Sequence, residues 1–185
     1  MKKLAVLLLC LLLCGCGSRT DSLDVGIELR RRLVNGAGCS MDVTVTADYG
    51  DQTYTIAMGC EFDAHGNLSF AVQQPQTIAG ISGNITDAGG NLTFDNIALA
   101  FPLLADGQLS PVSAPWILMK TLRGGYITSA GEVEGGILLI LDDSYADDAM
   151  TVHVQLGADG MPSFGEIYYK GRRILTVEVK KCRIL

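Results

Sequence analysis

The feature that most constrains the fold is a strict alternation of apolar and polar residues over positions 41–62. The apolar positions are Met41, Val43, Val45 and Ala47, then Tyr54, Ile56, Met58, Cys60 and Phe62. A period of two places the residues of each run on one face of a β-strand. Because Tyr49-Gly50 is typical of a turn, the pattern predicts a long antiparallel hairpin with one buried side. Similar alternation after residue 150, with turns at Asp159-Gly160 and Lys170-Gly171, predicts a mainly β domain.

Two helices are predicted beside these strands. The first begins at Asp21 or Ser22 and ends at Asn35-Gly36, with Leu23, Val25, Ile27, Leu29, Leu33 and Val34 on one arc. The second begins with Ser113 as its cap and ends at Gly124-Gly125. Its Trp116 falls on the side opposite Leu118, and we expect it either to contact a ligand, partner or membrane, or to pack under a loop.

Two further segments, Ile97 to Leu104 and Ile137 to Leu141, are apolar at nearly every position. A strand that is apolar on both faces must be covered on both faces or must line a cavity. We therefore expect both segments to lie in the interior of the domain.

The N-terminus has the order of a bacterial secretory signal. Two lysines follow the first methionine, and an unbroken apolar run of eleven residues, 4–14, comes next. A run of this length is short of the roughly 18 residues that span a bilayer, whereas this order is typical of a signal peptide. Residues 13–16, Leu-Cys-Gly-Cys, resemble a lipobox, in which the final cysteine becomes the lipidated N-terminus.

We therefore predict a lipoprotein signal peptide over 1–15, a lipidated tether over 16–20 and one domain over 21–185. A single acyl chain such as palmitate binds membranes only marginally, so a stable anchor requires a multiply acylated Cys16. The predicted location is the extracytoplasmic face of a cell membrane.

The charge balance makes nucleic acid an unexpected partner. Without the signal peptide, 12 basic residues stand against 20 acidic ones, a formal net charge of −8, whereas nucleic-acid-binding domains are normally basic. Half of the basic residues lie near the C-terminus: Lys170, Arg172, Arg173, Lys180, Lys181 and Arg183. We favour the interpretation that they discourage pairing along an exposed sheet edge. The alternative is a surface for anionic lipid headgroups or an acidic partner.

The sequence contains no recognisable catalytic or metal-binding motif. His65 and His153 have no ligand partner at the usual spacing, and there is no nucleophile elbow, phosphate-binding loop or HExxH sequence. Four aspartates between positions 142 and 148 lack the regular oxygen spacing of a calcium loop. We predict a protein that is not an enzyme and that uses neither a cofactor nor a metal.

The order of elements resembles the LolA/LppX/RseB superfamily of extracytoplasmic lipoprotein-carrier-like domains. The resemblance extends over Leu23 to Cys182 and includes the helix after the lipobox and the long first hairpin. Its motifs are Pro75 with the Ile78-Ala-Gly-Ile81 segment, the Ser110-Pro-x-x-Ala-Pro-Trp116 helix start and the Asp159-Gly-x-Pro162 turn. The resemblance implies an α+β, mainly β fold: an antiparallel, incompletely closed barrel with helices covering its concave face.

The resemblance also implies that the concave face holds acyl chains or serves as a docking surface. The apolar candidates for this face are Phe101, Trp116, Leu118, Met119, Leu122 and Leu139. We expect a membrane-anchored lipoprotein that binds a lipid or another apolar ligand. The alternative is a protein-interaction or sensor lipoprotein of envelope or spore processes, with a core filled by its own side chains.

A disulfide between Cys39 and Cys60 is predicted from the register of the first hairpin. A two-residue turn at Tyr49-Gly50 places Cys39 opposite Cys60, within disulfide range. A longer turn would place Cys60 beside Met41 instead. Cys182 is the rival partner if the last strand neighbours the first hairpin, and three reduced thiols are the remaining possibility.

Overall fold

The computed structural model describes residues 22–94, 97–101, 104–105 and 108–185. The predicted signal peptide, the lipidated Cys16 and the tether lie outside this range, and between positions 97 and 109 side chains are described only for Ile97, Leu99, Ala100 and Leu109. Within these ranges there are two α-helices, α1 (Ser22–Asn35) and α2 (Ala114–Gly124), with a 3₁₀ turn at Pro111–Ser113 before α2. The strands are β1 (Gly38–Asp48), β2 (Thr53–Asp63), β3 (Leu68–Gln74), β4 (Ser82–Thr86), β5 (Gly89–Phe94), β6 (Ile97–Phe101), β7 (Leu104–Ala105), β8 (Gln108–Leu109), β9 (Tyr126–Val133), β10 (Gly136–Asp142), β11 (Thr151–Leu156), β12 (Pro162–Tyr169) and β13 (Arg172–Ile184).

Eleven of these strands form one antiparallel sheet, in the order β6-β5-β4-β3-β2-β1-β13-β12-β11-β10-β9. It consists of two meanders, β1–β6 and β9–β13, joined where the last strand pairs with the first. Consecutive short hairpins explain the antiparallel order, and the twist of a long sheet curls it around a core. The two ends, β6 and β9, do not pair with each other in the described chain. The predicted mainly β, incompletely closed barrel with helices on its concave face is confirmed.

The first hairpin forms as predicted, but its turn is longer. Asp48 pairs with Thr53, so a four-residue loop, 49–52, connects the strands. The Asp48 carboxylate accepts a hydrogen bond from the Gly50 backbone N–H at 2.8 Å, and the Tyr49 N–H donates to the Gln52 carbonyl at 3.0 Å. These two hydrogen bonds close the wider loop. The predicted two-residue turn is therefore wrong, and every pair in the hairpin shifts by two residues.

Helix α1 has the predicted bounds, but its buried face is rotated from the predicted arc. Leu29 and Leu33 are buried, whereas Leu23, Ile27 and Val34 are 39–50% exposed. Gly26 faces strand β10, where a β-carbon would lie 3.0 Å from both methyl carbons of Leu139. The helix therefore packs through the face that carries this glycine, because only there can its backbone come so close to the sheet.

Helix α2 lies in the core. From Ala114 to Leu122 every residue except Lys120 is buried, as expected of a helix that is apolar on most of its circumference. Pro115 lies in the first turn and Gly125 ends the helix, as predicted. The predicted capping role of Ser113 is wrong, because its hydroxyl donates to the carbonyl of Ser110 at 2.6 Å instead.

Strand β13 lies in the middle of the sheet, between β1 and β12. Its lysines and arginines nevertheless lie on stretches that pair on one side only within the described chain. Arg172 and Arg173 come before the first pair with β1, and Lys180, Lys181 and Arg183 come after the last pair with β12. Their interpretation as protection of an exposed strand edge therefore stays a prediction. Lys181 approaches Asp42 on β1 at 3.9 Å, and Arg173 pairs with Glu166 on β12 at 2.6 Å.

Candidate functional site

Five of the six candidates for a ligand-binding face are packed against other side chains. Leu118 and Leu139 have no exposed surface, Met119 and Leu122 have 1–2%, and Trp116 has 5%. Leu118 reaches the sheet at Gly165, where a β-carbon would lie 3.0 Å from its Cδ1 atom. These five residues belong to one continuous hydrophobic core. The sixth, Phe101, has its backbone in β6, and its side chain lies outside the described residues.

Trp116 anchors the end of the core near the β4–β5 turn. The Lys120 ammonium lies 4.6 Å from the centre of the Trp116 ring and 2.6 Å from a carboxylate oxygen of Asp87. The indole also borders a small cavity of about 250 Å³, together with His65 and Arg123. The guanidinium of Arg123 donates hydrogen bonds to the backbone carbonyls of Leu33 and Ala64 at 2.8 and 2.7 Å. Of the two interpretations of Trp116 from the sequence, the structure agrees with the one in which its side chain is packed inside the protein.

As far as the described residues show, the concave face is covered over most of the sheet and exposed at one end. A row of directly paired residues runs across four strands: Phe70 with Gly83, Gly83 with Leu92, and Leu92 with Leu99. Directly opposite residues point to the same side of a sheet, so Leu99 faces the same way as the buried Phe70. Phe70 is 4% exposed, Leu92 is half-buried and Leu99 is 63% exposed.

The core ends at Gly83. A β-carbon there would lie 2.8 Å from the Phe70 ring, so the ring fills the space above the glycine and closes the core at strand β4. Beyond it, Phe94 and Ile97 form the next pair on the same face, and they are 53% and 63% exposed. We call Leu92, Phe94, Ile97 and Leu99 the apolar wing.

Ile97 and Leu99 in the apolar wing contradict the expectation that their segment lies in the interior, because both are 63% exposed. Strand β6 is the last strand of the sheet and pairs on one side only within the described chain, with β5. An apolar strand at such an edge combines exposed side chains with unpaired backbone groups. The second apolar segment is fully buried on one face only, by Leu139 and Leu141 in β10, whereas Leu138 and Ile140 on the other face are half-buried.

The second histidine lies beside a hydrogen-bonded network that could not be recognised from the sequence. His153 on β11 faces Glu166 on β12, with 3.8 Å between Nδ1 and a carboxylate oxygen. Glu166 also accepts hydrogen bonds from Arg173 at 2.6 Å and from the Tyr168 hydroxyl at 3.1 Å. Only the pairing of β11, β12 and β13 brings these residues together. The carboxylate raises the pKa of Arg173, and burial followed by this hydrogen bond raises the pKa of Tyr168.

The three described cysteines are close together, but not in the predicted way. Cys39 lies opposite Phe62 and Cys60 lies opposite Met41, so the register that supported a Cys39–Cys60 bond is wrong. The Sγ atom of Cys39 instead lies 3.6 Å from that of Cys182. Their hydrogen bond lowers the pKa of Cys39 and raises that of Cys182, whereas burial raises the pKa of Cys60.

A cavity of about 750 Å³ lies beside these cysteines. It crosses strands β3, β2, β1 and β13, and Asp159 and Met161 of the β11–β12 turn form its far side. Cys60 and Cys182 are both among its lining residues. Opposite charges are mixed there, since Lys180, Lys181 and Arg183 stand among Asp42, Glu61 and Asp159. This balance of charge selects neither an anion nor a cation.

No family model and no curated protein matches this sequence. The structure is similar to that of a LolA superfamily protein from Nitrosomonas europaea (7% identity, 90% of this chain and 94% of that chain covered, TM-score 0.48). It is also similar to the lipoprotein LppX from Mycobacterium tuberculosis (9% identity, 87% and 92% covered, TM-score 0.41). A third similar structure is the Pseudomonas aeruginosa MucA/MucB complex (13% identity, 88% and 56% covered, TM-score 0.40).

A LolA superfamily protein and LppX, which belong to the superfamily that the sequence resembles, are thus among the similar structures. Similarity at these identities concerns the course of the chain alone. What the protein binds has to be argued from its own residues.

Proposed function

We propose that this protein is a membrane-anchored extracytoplasmic lipoprotein that is not an enzyme and that binds a partner protein through the apolar wing. The observation that carries the proposal is the contrast between the two parts of the concave face. Five predicted ligand-face residues are at most 5% exposed, whereas Phe94, Ile97 and Leu99 are 53–63% exposed. The half-barrel acts as a scaffold filled by its own helices.

This packing gives little support to a binding site that encloses an acyl chain. A ligand pocket that buries most of its ligand needs a concave volume lined by apolar side chains. Helix α2 occupies the centre of the concave face with Leu118, Met119 and Leu122. Opening a cavity of useful size there would require this helix to move.

The apolar wing suits a polypeptide better, because side chains and backbone can both take part. A strand added to a sheet edge gains main-chain hydrogen bonds, and its alternate side chains contact apolar neighbours. Strand β6 supplies the edge, and the inward-facing Ile97 and Leu99 supply the apolar contacts. The proposed partner is therefore an extended segment with apolar residues at every second position.

The membrane anchor in this proposal comes from the sequence. The lipobox-like end of the apolar N-terminal run places a lipidated Cys16 six positions before α1 begins at Ser22. Among the described residues, no helix combines the length and the apolar character that a membrane crossing requires. The anchor would hold the domain within one tether length of the bilayer, so its partner would be found at the same membrane.

A second candidate function is the binding of a lipid or another apolar molecule on the same surface. Leu99 faces the concave side, where carriers of this general architecture would hold an apolar molecule, and this orientation favours the candidate. The photocross-linking experiment described next distinguishes this candidate from the first one.

The test is site-specific photocross-linking in the native host, with the full-length lipoprotein. A benzophenone amino acid replaces Leu99, and in the matched control it replaces Ala100, the next residue on β6, which is exposed and points to the opposite face. We expect a discrete protein adduct from position 99 that is absent from position 100.

The other outcomes are equally informative. A lipid adduct at position 99, together with stoichiometric lipid in an organic extract of the purified protein, would support the second candidate. Equal labelling at positions 99 and 100, with no co-purified lipid, would contradict both candidates.

A further inference from the structure

The first and last strands of the chain, β1 and β13, are neighbours in the sheet. Strand β13 pairs with β1 so that Met41 lies opposite Cys182 and Cys39 lies opposite Ile184. Cys39 and Cys182 are therefore diagonal neighbours on the same face of the sheet. Their sulfur atoms are 3.6 Å apart, whereas bonded sulfurs are about 2 Å apart.

We propose that Cys39 and Cys182 form an intramolecular disulfide once the protein meets a disulfide oxidant, while Cys60 remains a thiol. Bonding requires the two sulfurs to approach by about 1.5 Å. Hydrogen bonds from the Ala37 N–H to the Leu185 carbonyl and from the Leu185 N–H to the Gly38 carbonyl, each 2.9 Å, hold β13 beside β1 next to Cys39.

The two sulfurs are suited to consecutive steps of thiol–disulfide exchange. Cys182 is half-buried and borders the 750 Å³ cavity, whereas Cys39 is 2% exposed. Cys182, as its thiolate, attacks a small disulfide such as oxidised glutathione, forms a mixed disulfide and releases one glutathione thiolate. The Cys39 thiolate then attacks the Cys182 sulfur and releases the second.

The exchange is balanced. The protein loses two S–H hydrogens as two protons and two electrons and gains one S–S bond, and the small disulfide becomes two thiols. In the mixed disulfide Cys182 no longer has a proton to donate to Cys39, but the hydrogen bond from the Arg183 backbone and the positive charge of Arg123 still lower the pKa of the Cys39 thiol, which favours its thiolate as the second nucleophile.

Cys60 is a poor competitor. It lies on β2, opposite Met41, and is 2% exposed. Burial and the nearby carboxylate of Asp42 raise the pKa of its thiol. The pKa of Cys182 is raised as well, but Cys182 has the Cys39 sulfur 3.6 Å away to complete the exchange. The proposed bond therefore leaves one buried thiol per molecule.

The test is non-reducing peptide mapping of the full mature protein, purified from its host in detergent after free thiols are blocked with an alkylating reagent. A second sample is reduced, equilibrated with oxidised glutathione and then mapped in the same way. We expect a peptide pair that joins Cys39 to Cys182, with Cys60 alkylated, in the oxidised sample.

Three variants make the assignment specific. Cys60→Ser should keep the linked peptide, whereas Cys182→Ser and Cys39→Ser should lose it, and circular dichroism checks that each variant is folded. Alkylation of all three thiols after glutathione equilibration, or a linked peptide that contains Cys60, would overturn the proposal. The sample equilibrated with oxidised glutathione does not depend on the location of the protein in the cell. It therefore tests the disulfide even if the protein is not a lipoprotein.

Discussion

At the scale of single residues, two glycines determine how closely the layers of this molecule approach each other. Gly26 brings α1 onto the Leu139 side chain, and Gly165 makes room for Leu118 beneath α2. Neither could be recognised as a packing site from the sequence, because a glycine carries no apolar signal. Their importance depends on which strand lies opposite, and only the folded sheet shows that.

Replacing Gly26 with Val should destabilise the protein. The first added carbon would already lie 3.0 Å from both Leu139 methyl carbons, and overpacking of this kind costs about 1–3 kcal/mol. Urea denaturation should show this loss in the free energy of unfolding. The control Ile27→Val, at a position that is 50% exposed, should change it by less than about 0.5 kcal/mol. Equal stability of the two variants would contradict the close helix–sheet contact.

A pair of leucine substitutions tests whether the core is filled. Leu118 is fully buried, so Leu118→Ala should lower the free energy of unfolding by about 2–5 kcal/mol. Leu99→Ala, at a position that is 63% exposed, should lower it by less than about 0.5 kcal/mol. A small effect at Leu118, together with binding of a fluorescent fatty acid, would indicate a ligand cavity in place of a packed core.

At the scale of secondary-structure elements, the sequence was most informative where periodicity and turn chemistry agreed. The bounds of α1, the end of α2 and the final hairpins followed from apolar spacing and from glycine-containing turns. The turn at residues 49–52 did not, because the carboxylate of Asp48 stabilises a four-residue loop in place of the expected two-residue one. The longer turn moved Cys60 from Cys39 to Met41, and the pairing of β13 with β1 brought Cys182 beside Cys39.

The sequence pointed to the wrong place for the candidate binding site for a related reason. An all-apolar strand can be interior or can stand at an edge with its apolar side unfilled, and periodicity does not distinguish the two. Strand order decides, and it placed 97–101 at the sheet edge and the basic strand β13 in the middle. Strand order depends on long-range pairing such as that of β1 with β13, for which one sequence contains no local signal.

Amide hydrogen exchange should separate α2 from β6. The helix is enclosed by the core, so its amides should exchange only when much of the domain opens, whereas the edge strand should exchange through local opening. Mass spectrometry of peptides covering Ala114–Gly124 and Ile97–Phe101 provides the comparison. Protection of β6 equal to that of α2 in the purified protein would mean that the apolar wing is covered.

At the scale of the whole molecule, the proposed function depends on attachment to a membrane. Replacing Cys16 with Ser removes the only acceptor for the predicted lipid, so the protein should move from the membrane fraction to the soluble fraction of the host. Cys182→Ser is the matched control, because it also removes one thiol and should stay with the membrane. A Cys16→Ser protein that fractionates like the control would show that the lipobox interpretation is wrong.

The pairing of β13 with β1 has a consequence for how the protein is made. The chain is synthesised from its N-terminus, so β1 leaves the ribosome before the other described strands and its sheet partner β13 leaves it after them. Until residues 172–184 have been synthesised, one edge of β1 is unpaired and the two meanders cannot join. Folding of this domain is therefore completed only once β13 is available, and until then the unfinished sheet needs protection from wrong partners.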